Sequence, residues 1–245
     1  MAKGKEGTSV HFTLQGKGGV GKSLISAYTA QYFESVGATV KCIDTDPVNH
    51  SLADYQGLRV DRLELMDGSK LNERKFDSLM ETLLSESGTF IVDNGASSFL
   101  PMANYLIENQ AIEMLEDKGC RVYIHTVITG GPAHAETVKG FMDLAKQTKQ
   151  RNLVLWLNEF FGPIEYKGAA FVDTDAYKMF SDKVLGKVVL AKRNYDTFGK
   201  DIELLASGHQ TFDEALKGSG FQLMAKQRIK TVQRDVYSQL DEVGF

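Results

Sequence analysis

Residues 16–23 read Gly-Lys-Gly-Gly-Val-Gly-Lys-Ser, and no other stretch narrows the possible folds of this chain so far. The run fits the spacing G-x-x-x-x-G-K-[S/T]. Its flanks fit as well: Val10 to Gln15 reads as a strand, and Ser23 to Val36 as a helix that Gly37 stops. A glycine-rich turn between a strand and a helix lets backbone N–H groups converge on an anion. The helix N-terminus adds unpaired donors and a favourable dipole. Such a loop is built for the phosphates of a nucleoside triphosphate. Lys22 is placed for the β- and γ-phosphates, and the Ser23 hydroxyl for Mg²⁺.

Beyond the loop, strands and helices keep alternating. Thr39 to Asp44 is a second apolar strand, and Asn72 to Leu84 is amphipathic with Phe76, Leu79, Met80 and Leu83 on one face. Phe90 to Asp93 reads as a strand and Met102 to Leu115 as a helix. Arg121 to Val127, Ala133 to Gln147 and Asn152 to Asn158 repeat strand, helix, strand. Val188 to Leu190 is a last short strand. Strands separated by helices pair in parallel through right-handed crossovers. Their continuous apolar character suits a sheet covered on both faces. The expected fold is therefore a three-layer α/β P-loop NTPase domain with a mostly parallel central sheet. It spans 1–245 as one domain, with 1–9 as a flexible arm and 220–240 as a closing helix.

Composition excludes several classes. Hydrophobic residues make up 42% and charged residues 24% of the chain, which suffices for a full core. A net charge of -4 argues against a general polyanion binder, so any nucleic-acid contact needs a local patch. Such a patch is offered by Lys226, Lys230 and Arg234, one stripe at i, i+4, i+8. The opposite face of that segment (Ala225, Ile229, Val232, Val236) is apolar, so a packed helix with a solvated side is the plainer reading. Cys42 and Cys120 lie in or beside apolar runs and read as buried free thiols. His11, His50, His125, His134 and His209 show no ligand spacing and read as structural or solvated. The polar start of the chain leads into no signal-like apolar region, and no stretch is apolar enough to cross a bilayer. The acidic end, Asp241-Glu242, disfavours a basic membrane-seeking helix. The expected location is cytoplasmic.

Two carboxylate segments follow the loop. Asp44-Thr45-Asp46-Pro47 closes the second strand, where Pro47 fixes φ and stops it. Carboxylates at a strand's C-terminal end beside a phosphate loop are placed to organise Mg²⁺ and water. Phe90-Ile91-Val92-Asp93 ends likewise, so Asp93 is a candidate Mg²⁺ holder, directly or through water. Gly95 can bring a backbone amide near the γ-phosphate. The Asn-Lys-x-Asp run of guanine readers is missing after Asn158, where Glu159, Phe160 and Phe161 stand instead, which argues for ATP.

Lys17, directly after the first glycine, is unnecessary for an ordinary phosphate loop. With it, the run Gly16 to Ser23 resembles the deviant Walker A motif of the ParA/MinD-like ATPases. Together with Cys42-Ile43-Asp44-Thr45-Asp46-Pro47-Val48-Asn49 it looks most like the TraL-type ATPases of conjugative plasmids. Segments 195–201 and 210–215 strengthen that likeness, which runs from Val10 to about Ala215. The resemblance implies a bacterial, slow, partner-stimulated ATPase that dimerises with ATP and meets protein partners of a conjugation or partition system. It gives Lys17 a role across the dimer interface, Asp46 the attacking water, and Asp44 the support of Mg²⁺ and its loop. It makes Gly16, Lys17, Gly18, Gly19, Val20, Gly21, Lys22, Ser23 and Leu24 the nucleotide-binding run. It brings Asn158 to adenine, with 192–195 as further base-pocket candidates, and allows a non-specific DNA contact through the basic stripe. Relatives often carry a proline where Asn94-Gly95-Ala96 stands, which leaves open which amide senses the γ-phosphate. An alternative of the same fold is a metabolic ATP-dependent ligase resembling dethiobiotin synthetase.

Overall fold

The apolar runs of the sequence become strands of one sheet. The computed structural model describes residues 7–166 and 168–245. In chain order the first half holds β1 (Ser9–Thr13), α1 (Lys22–Ser35), β2 (Val40–Asp44), β3 (Val60–Arg62), β4 (Met66–Asp67), β5 (Lys70–Leu71), α2 (Lys75–Ser85) and β6 (Thr89–Asp93). Then come α3 (Phe99–Glu108), α4 (Ala111–Asp117), β7 (Arg121–Thr129), α5 (His134–Gln147), β8 (Leu153–Asn158), β9 (Glu165–Tyr166) and β10 (Ala169–Ala170). The last elements are α6 (Asp175–Lys178), β11 (Val184–Leu190), α7 (Lys200–Ser207), α8 (Phe212–Lys217) and α9 (Leu223–Val243).

The main sheet has the order β11-β8-β7-β1-β6-β2-β3, and every pairing in it is parallel. Alternate side chains feed two cores, as the pleat requires. Val10, Phe12, Phe90, Val92, Val122 and Ile124 join α2 to α5 on one face. Cys42, Ile91, Val127, Val154 and Trp156 join α1, α8 and α9 on the other. Each fully buried Phe or Leu among them is worth roughly 1.5–3 kcal/mol relative to exposure. β4 with β5 and β9 with β10 form two small antiparallel hairpins outside the main sheet. Among the described residues no helix is long and apolar enough to cross a membrane.

Several boundaries differ from expectation. The helix expected over 102–115 is two helices, broken at Asn109–Gln110, where Gln110 takes φ 50°. That turn lets α4 fold back on α3 and bury Leu115. The helix expected from Asn72 begins at Lys75, because Asn72 accepts the Arg74 amide with its side chain and closes a turn first. The closing helix is shifted, running from Leu223 to Val243. The last strand is longer, beginning at Val184. Of the expected arm, residues 1–6 lie outside the described residues. Thr8 and Ser9 are buried, and Ser9 pairs with Thr89 and Arg121. Cys42 and Cys120 are both buried thiols.

Candidate nucleotide site

The phosphate loop joins β1 to α1 at the C-terminal edge of the sheet, beside the ends of β2, β6 and β8. Gly21 stands just before α1 at φ 100°, a conformation that suits glycine. A Cβ there would also press on the Asn158 amide at 3.1 Å. Gly16 lies against Phe99, whose ring a Cβ would meet at 2.9 Å. The loop is thus clamped between β8 and the start of α3.

Lys22 is 8% exposed, and its Nζ donates to the Lys17 carbonyl at 3.1 Å. Burial pushes its ammonium below the usual lysine range, while Asp93 and Asp46 pull it back up. The loop lysine thus feels a carboxylate at the end of β6 and another just after β2. Asp93 is 1% exposed and accepts from the Ser26 hydroxyl at 2.8 Å, with Ser23 as a second donor. Burial raises its carboxyl to about 7 against the relief of those two hydroxyls; Asp44 adds to the rise and Lys22 opposes it. Asp44, across the β2–β6 pairing from Asp93, accepts the amides of Asp46 and Ala53 at 2.9 and 3.0 Å. Burial raises its carboxyl too. Asp46 is half-buried and accepts the amides of Val48 and Asn49.

This donor set fits a hard divalent cation with phosphate. Among the described residues no three Asp, Glu, His or Cys side chains gather as a cage. Mg²⁺ suits that arrangement, because it is commonly held by one or two carboxylates, waters and substrate phosphates. Ser23, Asp93 and Asp44 offer a hydroxyl and two carboxylates of that kind, and burial is the first cause of the raised Asp93 carboxyl.

A cavity of about 600 Å³ opens from the loop. Gly19, Gly21 and Leu24 line one end; Lys192, Arg193, Tyr195 and Phe198 lie further along it. The size is ordinary for a small-molecule site. The Arg193 guanidinium lies 5.1 Å from the Phe198 ring centre and is paired with Asp235 of α9. Expected base-pocket residues 192, 193 and 195 are therefore at the cavity. Asn158 lines it too. Its Nδ2 donates to the Val20 carbonyl at 3.1 Å and its Oδ1 accepts from Phe160 N at 3.1 Å, which braces the loop and leaves the amide one further N–H and one further lone pair.

The Lys17 ammonium pairs with Glu136 of α5 at 2.7 Å, with the lysine side chain 38% exposed. The basic stripe is partly engaged: Lys226 donates to the Gly218 carbonyl, and Arg234 lies 3.9 Å from Asp235, while Lys230 is exposed. Sequence reading missed Ser26, Thr45, Asn94, Ser98 and Glu136. Only Ser26 carried a local signal, one helical turn after Ser23 on α1.

Comparison with known proteins places these features. The chain is 44% identical to a Protein TraL of Escherichia coli over 236 residues, spanning 96% of this chain and 98% of that one. A family model for anion-transporting ATPases matches residues 10–85. The crystal structure of a ParA family ATPase from Chlorobium tepidum TLS matches with a TM-score of 0.55 at 14% identity, covering 94% of this chain and 98% of that one. The septum site-determining protein MinD of Pyrococcus horikoshii OT3, complexed with Mg-ADP, matches with a TM-score of 0.54 at 14% identity, covering 97% and 99%. At such identities the two structures speak for the fold.

Proposed function

The chain belongs to the TraL family of ParA/MinD-like P-loop ATPases, and from that premise we propose that it is a Mg-ATP-switched dimeric ATPase that positions or assembles a plasmid-transfer complex. The observation that carries the reading is a buried Lys22 in a glycine loop that opens on a nucleoside-sized cavity, beside the paired strand ends that carry Asp44 and Asp93, with Asp93 bonded to Ser26 of the helix that Lys22 begins. Lys22 and the loop amides would bind the triphosphate. Ser23, Asp93 and Asp44 would hold Mg²⁺, which supplies charge neutralisation at the β- and γ-phosphates when bound. Asp46 orients the attacking water and accepts its proton, as a general base placed at the end of β2.

Lys17 completes the reading. Its pair with Glu136 is half-exposed. An exposed pair of this kind is worth at most about 1 kcal/mol, so the lysine is free to exchange it for a partner subunit's nucleotide. ATP shared by two subunits then favours the dimer, because a ligand shifts an equilibrium by its differential affinity for the two states. Loss of the γ-phosphate removes the charge Lys17 meets and loosens the dimer. Protein partners and any stimulation of a slow basal rate would act on this cycle.

Sedimentation with and without ATP tests this. Asp46→Ala should hold ATP and sediment as a dimer; Lys17→Ala in that background should remain a monomer with its fold intact. Lys17→Arg should also fail, since a planar fork does not replace a compact ammonium at close quarters. Dimerisation of Lys17→Ala equal to its parent's would overturn the cross-subunit role and favour a monomeric enzyme with a second, small-molecule substrate.

A further inference from the structure

The ends of β2 and β6 are joined by a buried polar tie. Asp44 and Asp93 are register partners, and the next residues on each strand are Thr45 and Asn94, 0% and 1% exposed. The Thr45 hydroxyl donates towards Asn94 Oδ1 at 3.1 Å and towards the Asp93 carbonyl at 2.9 Å. Asn94 Oδ1 also accepts the Ser98 hydroxyl at 2.9 Å, and its Nδ2 donates to the Gly95 carbonyl at 3.0 Å. Ser98 is the residue before α3. One amide side chain therefore links the end of β2, the end of β6 and the start of a helix, with each of its polar atoms partnered.

The same segment forms the seat of Asp46. A Cβ built on Gly95 would fall 2.5 Å from Asp46 Oδ1 and 2.6 Å from its Cγ. The carboxylate thus rests directly against the bare Cα of Gly95, and only glycine leaves it that room. Its other contacts are the amides of Val48 and Asn49 in its own loop. Where the Asp46 carboxylate can lie thus depends on Gly95, the residue after Asn94.

We propose that Thr45 and Asn94 are positioning residues for ATP hydrolysis: their buried hydrogen bond holds Asp46 in the seat that Gly95 leaves open, and through Ser98 it ties the same movement to α3. The proposal rests on the assignment of Asp46 to the attacking water. The two side chains are bonded to one another and to their own strand ends, and in this proposal they act through Asp46. A misplacement of about 1 Å can cost roughly a hundredfold in rate, so a tie between neutral groups matters here far beyond its share of stability.

The experiment measures single-turnover ATP hydrolysis, ATP affinity and thermal unfolding for Thr45→Val, Thr45→Ser and Gly95→Ala, each alone and combined with Asp46→Ala. Thr45→Val keeps the shape and removes the hydroxyl. It should lower hydrolysis roughly tenfold to a hundredfold while ATP affinity stays within about threefold. Thr45→Ser keeps the hydroxyl and should hydrolyse near the parental rate. Gly95→Ala keeps the Thr45 hydroxyl and crowds the Asp46 carboxylate, so it should lose rate likewise, and it tests the seat if Thr45→Val does not fold. In the Asp46→Ala background, Thr45→Val should cost less than about twofold more, because residues acting through one group are not additive. An undiminished rate for Thr45→Val, or an equal loss with and without Asp46, overturns the proposal. A slow Asp46→Ala beside a normal Thr45→Val overturns it alone; an Asp46→Ala at the parental rate overturns the Asp46 assignment and this proposal together.

Discussion

Two clusters of polar side chains meet the same sheet and are built on opposite principles. One is at the C-terminal edge: Lys22, Asp44, Asp93, Ser23 and Ser26. The other crosses the middle of the sheet, where Trp156 Nε1 donates to His125 Nδ1 at 2.9 Å. Indole only donates, so the His125 proton is on Nε2 and goes to His11 Nδ1 at 3.0 Å. The His11 proton is then on Nε2 and goes to Ser9 Oγ at 3.2 Å, and Ser9 donates on to Thr89. Each donor has an acceptor, both rings are neutral, and Tyr123 and Phe245 cover them. Burial drives both imidazoles below their ordinary range, His125 to about 3 and His11 lowered further by its histidine neighbour. The edge cluster is built of ionisable groups instead: burial raises its carboxyls and lowers its ammonium, so each charged form is costly there. A closed polar network stabilises a fold, whereas an open charged one stores a need for a ligand.

The largest effect that could break this contrast is at Lys22. Lys22→Ala should weaken ATP binding by two to three orders of magnitude, about 3–4 kcal/mol, through loss of a charged donor to phosphate. Competition against a labelled ATP analogue reads it, with GTP expected to compete less well than ATP. A Lys22→Ala protein that binds normally, or that fails to fold, would make the edge cluster structural like the other.

His125→Phe should do the reverse. It strands the Trp156 N–H and a nitrogen of His11, at about 1–3 kcal/mol for each orphaned group. A loss of roughly 2–4 kcal/mol in denaturant unfolding with ATP affinity unchanged is the expected result. A weakened ATP affinity in the folded variant would tie the ladder to the site.

The smallest effect on stability has the opposite sign. Asp93→Asn removes a buried charge and should stabilise the nucleotide-free protein by about 1–2 kcal/mol while abolishing Mg²⁺-dependent hydrolysis. In this variant the pH dependence of the ladder is also best seen. The folded histidines have depressed values, so their contribution is complete above about 6.5 and is lost as the pH falls towards 3, with a slope of up to ~1.4 kcal/mol per pH unit for each. Asp93, raised in the fold, has the contrary slope between about 4 and 7 in the parent. Unfolding free energies across pH 4–7 that are flat in Asp93→Asn would contradict the neutral ladder.

The amino-acid sequence by itself determined the parts that depend on neighbours in the chain. The phosphate loop, the carboxylates at the ends of two apolar strands, and the two-sided burial of the sheet all follow from local spacing and period, and each is found in place. Where expectation slipped, a short-range competitor won: a left-handed turn at Gln110 split one helix, and the side chain of Asn72 delayed another. Tertiary structure alone decided what lies between strands far apart in sequence. Thr45 meets Asn94 because β2 and β6 pair after a crossover, His11 meets His125 because β1 lies between β6 and β7, and the Asn158 amide meets Val20 because β8 packs beside the loop. Side chains one strand apart are neighbours at hydrogen-bonding distance whatever their separation along the chain, and no periodicity in the sequence encodes which strand will be the neighbour.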